Sequence, residues 1–170
     1  MQKLLRSGRG KFHVKTFGFT IVELLISLAI LALLATLAVP TMEIVVKRQK
    51  EQDLRTSLRE IRQAIDAYKK AVDENKIMRM ADESGYPPNL QSLYLGVIDA
   101  TDPNKQKKIF LMRRLPRDPF YPDTSVSPEN SWGKRSFESD YNQPREGKDV
   151  YDIYSFSPDM ALNGTNYKDW

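Results

Sequence analysis

From Leu24 to Met42 the chain runs 19 residues without a charge, and this stretch limits what the whole chain can fold into. At 1.5 Å of rise per residue it makes roughly 28 Å of helix, about one hydrocarbon thickness. Lys3, Arg6, Arg9, Lys11 and Lys15 precede it, with no acid among residues 1–18. That asymmetry predicts a single-pass helix with its N-terminus on the cytoplasmic side, although Lys47, Arg48 and Lys50 beyond the run weaken it. The alternative is a secretory signal peptide, which has a shorter apolar region and ends in a small-x-small site. Thr36-Leu37-Ala38 is a poor version of such a site, so a retained helix is the expectation. Glu23 stands at the start of the run. A carboxylate there is costly, so it either has a specific partner and a function or snorkels to the headgroups.

Composition narrows the function. The formal charge of +4 comes from the first 18 residues, because without their five cations 21 basic residues face 22 acidic ones. Nucleic-acid binding through bulk charge is therefore not expected. With no cysteine, a disulfide framework is excluded. The only histidine is His13. A chain cut after residue 18 would lack the commonest general base, the soft metal ligands and the thiol nucleophile, so an enzyme is not expected.

Pro40 interrupts an otherwise helical pattern. Its ring crowds the carbonyl of Thr36 and it donates no hydrogen bond, which predicts a kink or local melting near residues 36–40. Further on, Leu54, Leu58, Ile61, Ile65, Tyr68 and Val72 fall at alternating spacings of four and three, one apolar stripe of a helix. No glycine or proline occurs in 41–84, so one helix from Phe19 to about Asn75 is expected. The stripe could be a coiled-coil seam, but over about three heptads it suits packing on the chain's own sheet better.

Residues 75–85 are polar and lead into a Tyr86-Pro87-Pro88-Asn89 turn. Leu90, Leu93 and Tyr94 suit one face of a short helix from near Asn89, and residues 99–108 read as a solvated loop. The prolines of 110–120 suit a connector rather than a central strand. Residues 132–137 and 149–156 are the best strands, the second alternating Val150, Asp152, Tyr154 with Tyr151, Ile153, Ser155. Residues 140–148 read as a hairpin-like loop. Two or three antiparallel strands are not stable alone. Laid on the Leu54–Val72 stripe, they make an α+β domain.

The octet Gly18-Phe-Thr-Ile-Val-Glu23-Leu-Leu25 closely resembles the processing site of type IV pilins and of the pseudopilins of type II secretion. The resemblance implies a leader at 1–18, cut between Gly18 and Phe19 by a prepilin peptidase, with N-methylation of Phe19. Glu23 becomes the fifth residue of the mature chain, pairing in the assembly with the N-terminal amine of a neighbouring subunit. An unpaired charge buried there would be very unfavourable. The family's helices often carry a proline or glycine near the position of Pro40, where flexibility helps packing. An inert kink is the equal alternative.

Leu115-Pro116-Arg117-Asp118-Pro119 is similar to a Leu/Ile-Pro-x-Asp-Pro segment of the major pseudopilin. Residues 157–170 gather oxygen donors around Gly164, as the calcium loop of those pseudopilins does. By that resemblance Asp159, Asn163 and Asp169 would contribute to a calcium site. The loop has fewer glycines than the family's and only two carboxylates, and a surface turn at Asn163-Gly164 is the alternative.

The resemblance thus implies a pilin-like α+β fold, one long N-terminal helix on a small antiparallel sheet. Its parts are a leader (1–18), a transmembrane and filament-core helix (19–46), an amphipathic continuation (47–75) and a periplasmic domain (76–170). The implied function is a structural subunit of a type II secretion pseudopilus. It would be held in the bacterial inner membrane, then polymerised with itself and other pseudopilins on an inner-membrane secretion platform. A type IV pilin of an extracellular pilus is the alternative. Many such pilins close their C-terminal loop with a disulfide that this chain cannot form. A third reading is a membrane-anchored periplasmic enzyme or binding protein, which would need a pocket of convergent polar groups.

Overall fold

The structure is a computed structural model that describes residues 18–170, leaving out the side chains of 37–41. The expected leader, apart from Gly18, lies outside the described residues, and so does the side chain of Pro40 at the expected kink. The chain divides into two compact units, Met1–Met42 and Glu43–Trp170. Helix α1 (Ile21–Asp73) runs from the first into the second, within two residues of the expected limits.

In the first unit the described part of α1 is apolar all round. Ile21, Val22, Leu24 and Ile30 are each more than half exposed, and at about 100° per residue they point to every side of the helix. Its hydroxyls are satisfied within the helix, Ser27 donating to the Glu23 carbonyl at 2.8 Å and Thr36 to that of Leu33 at 2.7 Å. Self-satisfied polar groups under a continuous apolar surface suit a helix that is covered by lipid or by other helices. Among the described residues no helix is long and apolar enough to cross a membrane. The expected run of 24–42 includes residues 37–41, whose side chains are not described.

The second unit is built on the stripe. Leu54, Leu58, Ile61, Ile65, Tyr68 and Val72 are all buried, with Ala64 and Ala71 between them. Each fully buried Leu or Ile contributes on the order of 1.5–3 kcal/mol. The helix stops where Asn75 takes a left-handed φ of 57°. The Asn75 N–H then bonds the Val72 carbonyl at 2.9 Å and the Lys76 N–H that of Ala71 at 2.8 Å, a Schellman closure with asparagine in the usual glycine position.

Helix α2 (Gln91–Leu95) follows the double-proline turn, with the Asn89 side chain accepting the Ser92 N–H at 3.0 Å. It buries Leu90 and Leu93 beside the stripe. Next comes a hairpin the sequence reading missed. Strand β1 (Val97–Ile98) pairs antiparallel with β2 (Lys108–Ile109), so the expected loop of 99–108 ends one residue early. Two-residue strands leave no alternation to detect. The Asp102 carboxylate holds the loop by accepting the N–H groups of Gln106 and Lys107, each at 2.9 Å, which lowers its pKa.

Strands β3 (Trp132–Arg135) and β4 (Asp152–Ser155) form a second antiparallel pair in register Trp132↔Ser155 to Arg135↔Asp152. Both are shorter than expected, because flanking donors are used elsewhere. The Ser136 N–H goes to the Arg145 carbonyl and the Val150 N–H to that of Pro87. Within β4 the alternation holds, Ile153 and Ser155 being buried. Gly133 lies under the Tyr154 ring, where an added Cβ would come within 2.4 Å of ring carbons. The sheet is therefore two separate two-stranded pieces on one helix, sharing a single core with Trp132, Val150 and Ile153.

The 110–120 segment is a connector, as expected, and its ends are clamped. Trp132 Nε1 donates to the Pro116 carbonyl at 2.9 Å. Asp118 is almost wholly buried and accepts from the Ser155 hydroxyl at 2.6 Å and the Phe120 N–H at 2.8 Å. Burial raises the Asp118 pKa above its ordinary value of 3.8, against the lowering pull of those two donors. A raised native pKa means that the folded chain holds the proton more tightly than the unfolded one. This group's stabilisation is thus fullest below about 3.8 and is lost as pH rises through the native value.

Asp118→Asn, which keeps the shape and an acceptor but never ionises, should therefore gain on wild type as pH rises from 4 to 7. Asp118→Ala, which orphans the Ser155 hydroxyl and the Phe120 N–H, should cost about 2 kcal/mol. Melting the full chain in detergent, followed by fluorescence of the buried Trp132, checks both. An Asn variant that loses ground to wild type with rising pH would contradict the assignment.

Candidate functional site

Gly18, Phe19 and Thr20 lie in non-helical backbone ahead of α1. Thr20 caps the helix. Its Oγ1 accepts the Glu23 N–H at 3.2 Å, and its carbonyl accepts the Leu24 N–H at 3.1 Å. Threonine followed three residues later by glutamate is the sequence form of a capping box, and the acid in the first turn complements the helix dipole. The Thr20-x-x-Glu23 spacing was readable in the sequence, and only the glutamate was singled out there. The cap sets the helix start two residues past the Gly18–Phe19 bond, so that bond is outside the helix and open to a processing enzyme. Phe19 is 74% exposed. A Cβ built on Gly18 would meet nothing within 4 Å, so the chain's own fold does not require glycine there. A requirement for it would come from an enzyme that binds the site.

A second functional region is the seam between α1 and the C-terminal tail. Lys47 donates to the Met160 carbonyl at 2.7 Å. One helical turn on, the Glu51 carboxylate accepts from the Leu162 N–H at 2.7 Å and the Tyr167 hydroxyl at 2.9 Å. Tyr167 is fully buried and stacks on Phe120 at 4.1 Å between centroids. Its pKa is raised by burial first, then by the bond to Glu51 and that carboxylate's charge. Arg55 lies over the Trp170 ring at 4.1 Å. Arg62 donates to Asp152 at 2.8 Å, to the Ile153 carbonyl at 3.1 Å and to the Trp170 main-chain oxygen at 2.7 Å, joining helix, strand and tail. Residues 47, 51, 55 and 62 follow one face of α1 at helical spacing. They are charged, and their partners lie about 90 to 116 positions away, so no local pattern announced them.

The three residues expected to hold calcium are placed as follows. Asn163 Oδ1 accepts the Thr165 N–H at 3.1 Å and its hydroxyl at 2.7 Å, the Asx-type turn that was the alternative reading. Asp169 Oδ2 accepts from the Asn166 side chain at 3.1 Å, and Asp159 is exposed. Among the described residues no three or more His, Cys, Asp or Glu side chains are grouped so as to hold a metal ion; calcium would also draw on amide and backbone oxygens. Asn163 and Asp169 are engaged in the tail's own turns, so an ion would have to take their oxygens from those partners.

The model of the prokaryotic N-terminal methylation motif matches residues 15–39. No curated protein and no solved structure matches the chain. The match spans the Gly18–Phe19 bond, the Thr20 cap, Glu23 and most of the uncharged run. Such a motif implies processing by prepilin peptidase, insertion in the inner membrane and polymerisation, the part of a structural subunit rather than an enzyme. With its long helix and small antiparallel sheets, the chain is a prepilin-like protein carrying the N-terminal methylation motif typical of the type IV pilin and pseudopilin superfamily.

Proposed function

We propose that the chain is a subunit of a type II secretion pseudopilus, cut after Gly18, methylated on Phe19 and polymerised from the inner membrane into a short periplasmic filament. The observation that carries this reading is the motif at 15–39 on a helix whose large apolar side chains, among the described residues, are exposed. Cutting frees the Phe19 amine one turn from Glu23. In a packed filament core the carboxylate of one subunit pairs with the amine of the next, which offsets the desolvation of both and sets the axial register. Growth of the filament then moves exported proteins mechanically.

Within the superfamily, two features favour a pseudopilin over an extracellular pilin. One is the absence of cysteine. The other is the Leu115–Pro119 connector, resembling that of the major pseudopilin and clamped through Pro116 and Asp118. A membrane-anchored enzyme or binding protein is the remaining reading. It would keep its activity in a 47–170 fragment.

Calcium in the tail, through Asp159, Asn163 and Asp169, belongs to the same proposal. Millimolar calcium should raise the melting temperature of the full chain by several degrees over a chelated sample. An unchanged melt would contradict calcium binding and leave the tail held by its contacts with Lys47, Glu51, Arg55 and Arg62.

The host supplies the functional test. Deleting the gene should stop protein export, and the wild-type chain should restore it. Glu23→Leu should be cut normally and yet fail to restore export. Normal export with loss of surface filaments would give the pilus reading instead.

A further inference from the structure

Among the cations of α1 that have no acidic partner, two lie together beside the seam. Arg55 and Arg59 are exposed and four residues apart, on the line of the helix continued by Arg62. Among the described residues neither guanidinium comes within 4 Å of a carboxylate, whereas Arg62 is paired with Asp152. Like charges at this spacing repel and destabilise a helix, and only Arg55 has a contact of its own to set against that, over the Trp170 ring. Both face a cleft of about 570 Å³ walled by Trp170, with Asn163 and Thr165 on its rim, where three arginines outnumber the one acidic side chain, Asp66. The wall is rigid, since Trp170 Nε1 donates to the Thr165 hydroxyl at 2.6 Å and its ring packs edge-on against buried Tyr167.

The same chain carries the opposite surface. Without residues 1–18 it is near neutral, so a basic face implies an acidic one elsewhere. Asp82, Glu83 and Glu138 are exposed on the border of a second cleft of about 680 Å³, where four carboxylates, Asp149 included, face two lysines, Lys105 and Lys148, with Phe137, Met78 and Ile98 as exposed apolar contacts beside them. Lys148 answers Asp82 only at 3.9 Å, with both side chains largely in water, and among the described residues Glu138 has no cation within 4 Å.

We propose that the Arg55–Arg59 face of α1 docks a second copy of this chain, which presents the Asp82, Glu83 and Glu138 edge to it. The proposal rests on the filament-subunit reading and names the surfaces that would meet. The two patches are different parts of one molecule, so the contact is head-to-tail. A contact of that kind continues into an open polymer rather than closing as a pair. Exposed charges of this sort select the partner and its register more than they supply affinity, and salt weakens them.

The test uses the full chain in cells that hold its assembly machinery. The sequence has no cysteine, so introduced thiols report without background. With Gln63→Cys in the basic cleft and Lys148→Cys in the acidic one, mild oxidation should give a ladder of dimers, trimers and longer species. Either substitution alone should give no ladder. Arg55→Glu with Arg59→Glu should cut filament yield at least tenfold. Adding Asp82→Lys, Glu83→Lys and Glu138→Lys to that double variant should restore it. Arg59→Glu alone, which leaves the Arg55–Trp170 contact in place, should lower the yield without lowering the melting temperature.

Reversed variants that assemble like wild type would overturn the proposal while leaving the subunit reading intact. So would wild-type-like filaments without a ladder, or a double variant that the acidic swap does not rescue. A wild-type chain that forms no filament would remove the subunit reading itself.

Discussion

Two-stranded sheets are marginal in water, and the described residues form two of them, neither longer than four residues per strand. Both depend on the same support, the stripe of α1 from Leu54 to Val72, which provides an apolar face too wide for either sheet to cover alone. The connector, α2 and the tail cover the rest. Their main-chain groups, lacking long ladders, are tied down by side chains: Trp132 on Pro116, Asp118 on Phe120, Glu51 on Leu162 and Arg62 on Ile153 and Trp170. A domain with so little regular structure after its helix is held by individual polar anchors set around one buried stripe.

The helix was the most legible part of the sequence, because periodicity over many turns is a strong signal and Asn75 is a recognisable stop. The strands were legible where β-branched and aromatic residues alternate, as in β4. The β1–β2 hairpin was not, because two residues a side carry no period. At the N-terminus the glycine, phenylalanine and glutamate could be read directly, since a processing enzyme reads the same linear string. The Thr20 cap could have been read from the same letters. The seam could not, because Glu51 and Arg62 look like any solvated helix charges until the tail is folded back beside them.

The two units divide the work along the same lines. In the first, the described helix residues make almost no demand on the rest of the chain. Their large apolar side chains are exposed, and the capped start leaves the Gly18–Phe19 bond outside the helix. In the second, the core is closed around one unpartnered buried atom, Arg117 Nε, and charged features lie on its surface, a group of arginines on α1 and a mainly acidic edge at the second cleft. A molecule whose internal bonds are met in one unit and whose surfaces await partners in both is suited to repetition.

The account turns on one covalent event, cleavage after Gly18. Intact mass of the protein taken from its native membrane measures it directly. The account predicts a chain lacking residues 1–18 and heavier than the remainder by one methyl group. A full-length mass, or a cut near Ala38, would contradict it and leave either a simple anchored protein or a secreted one.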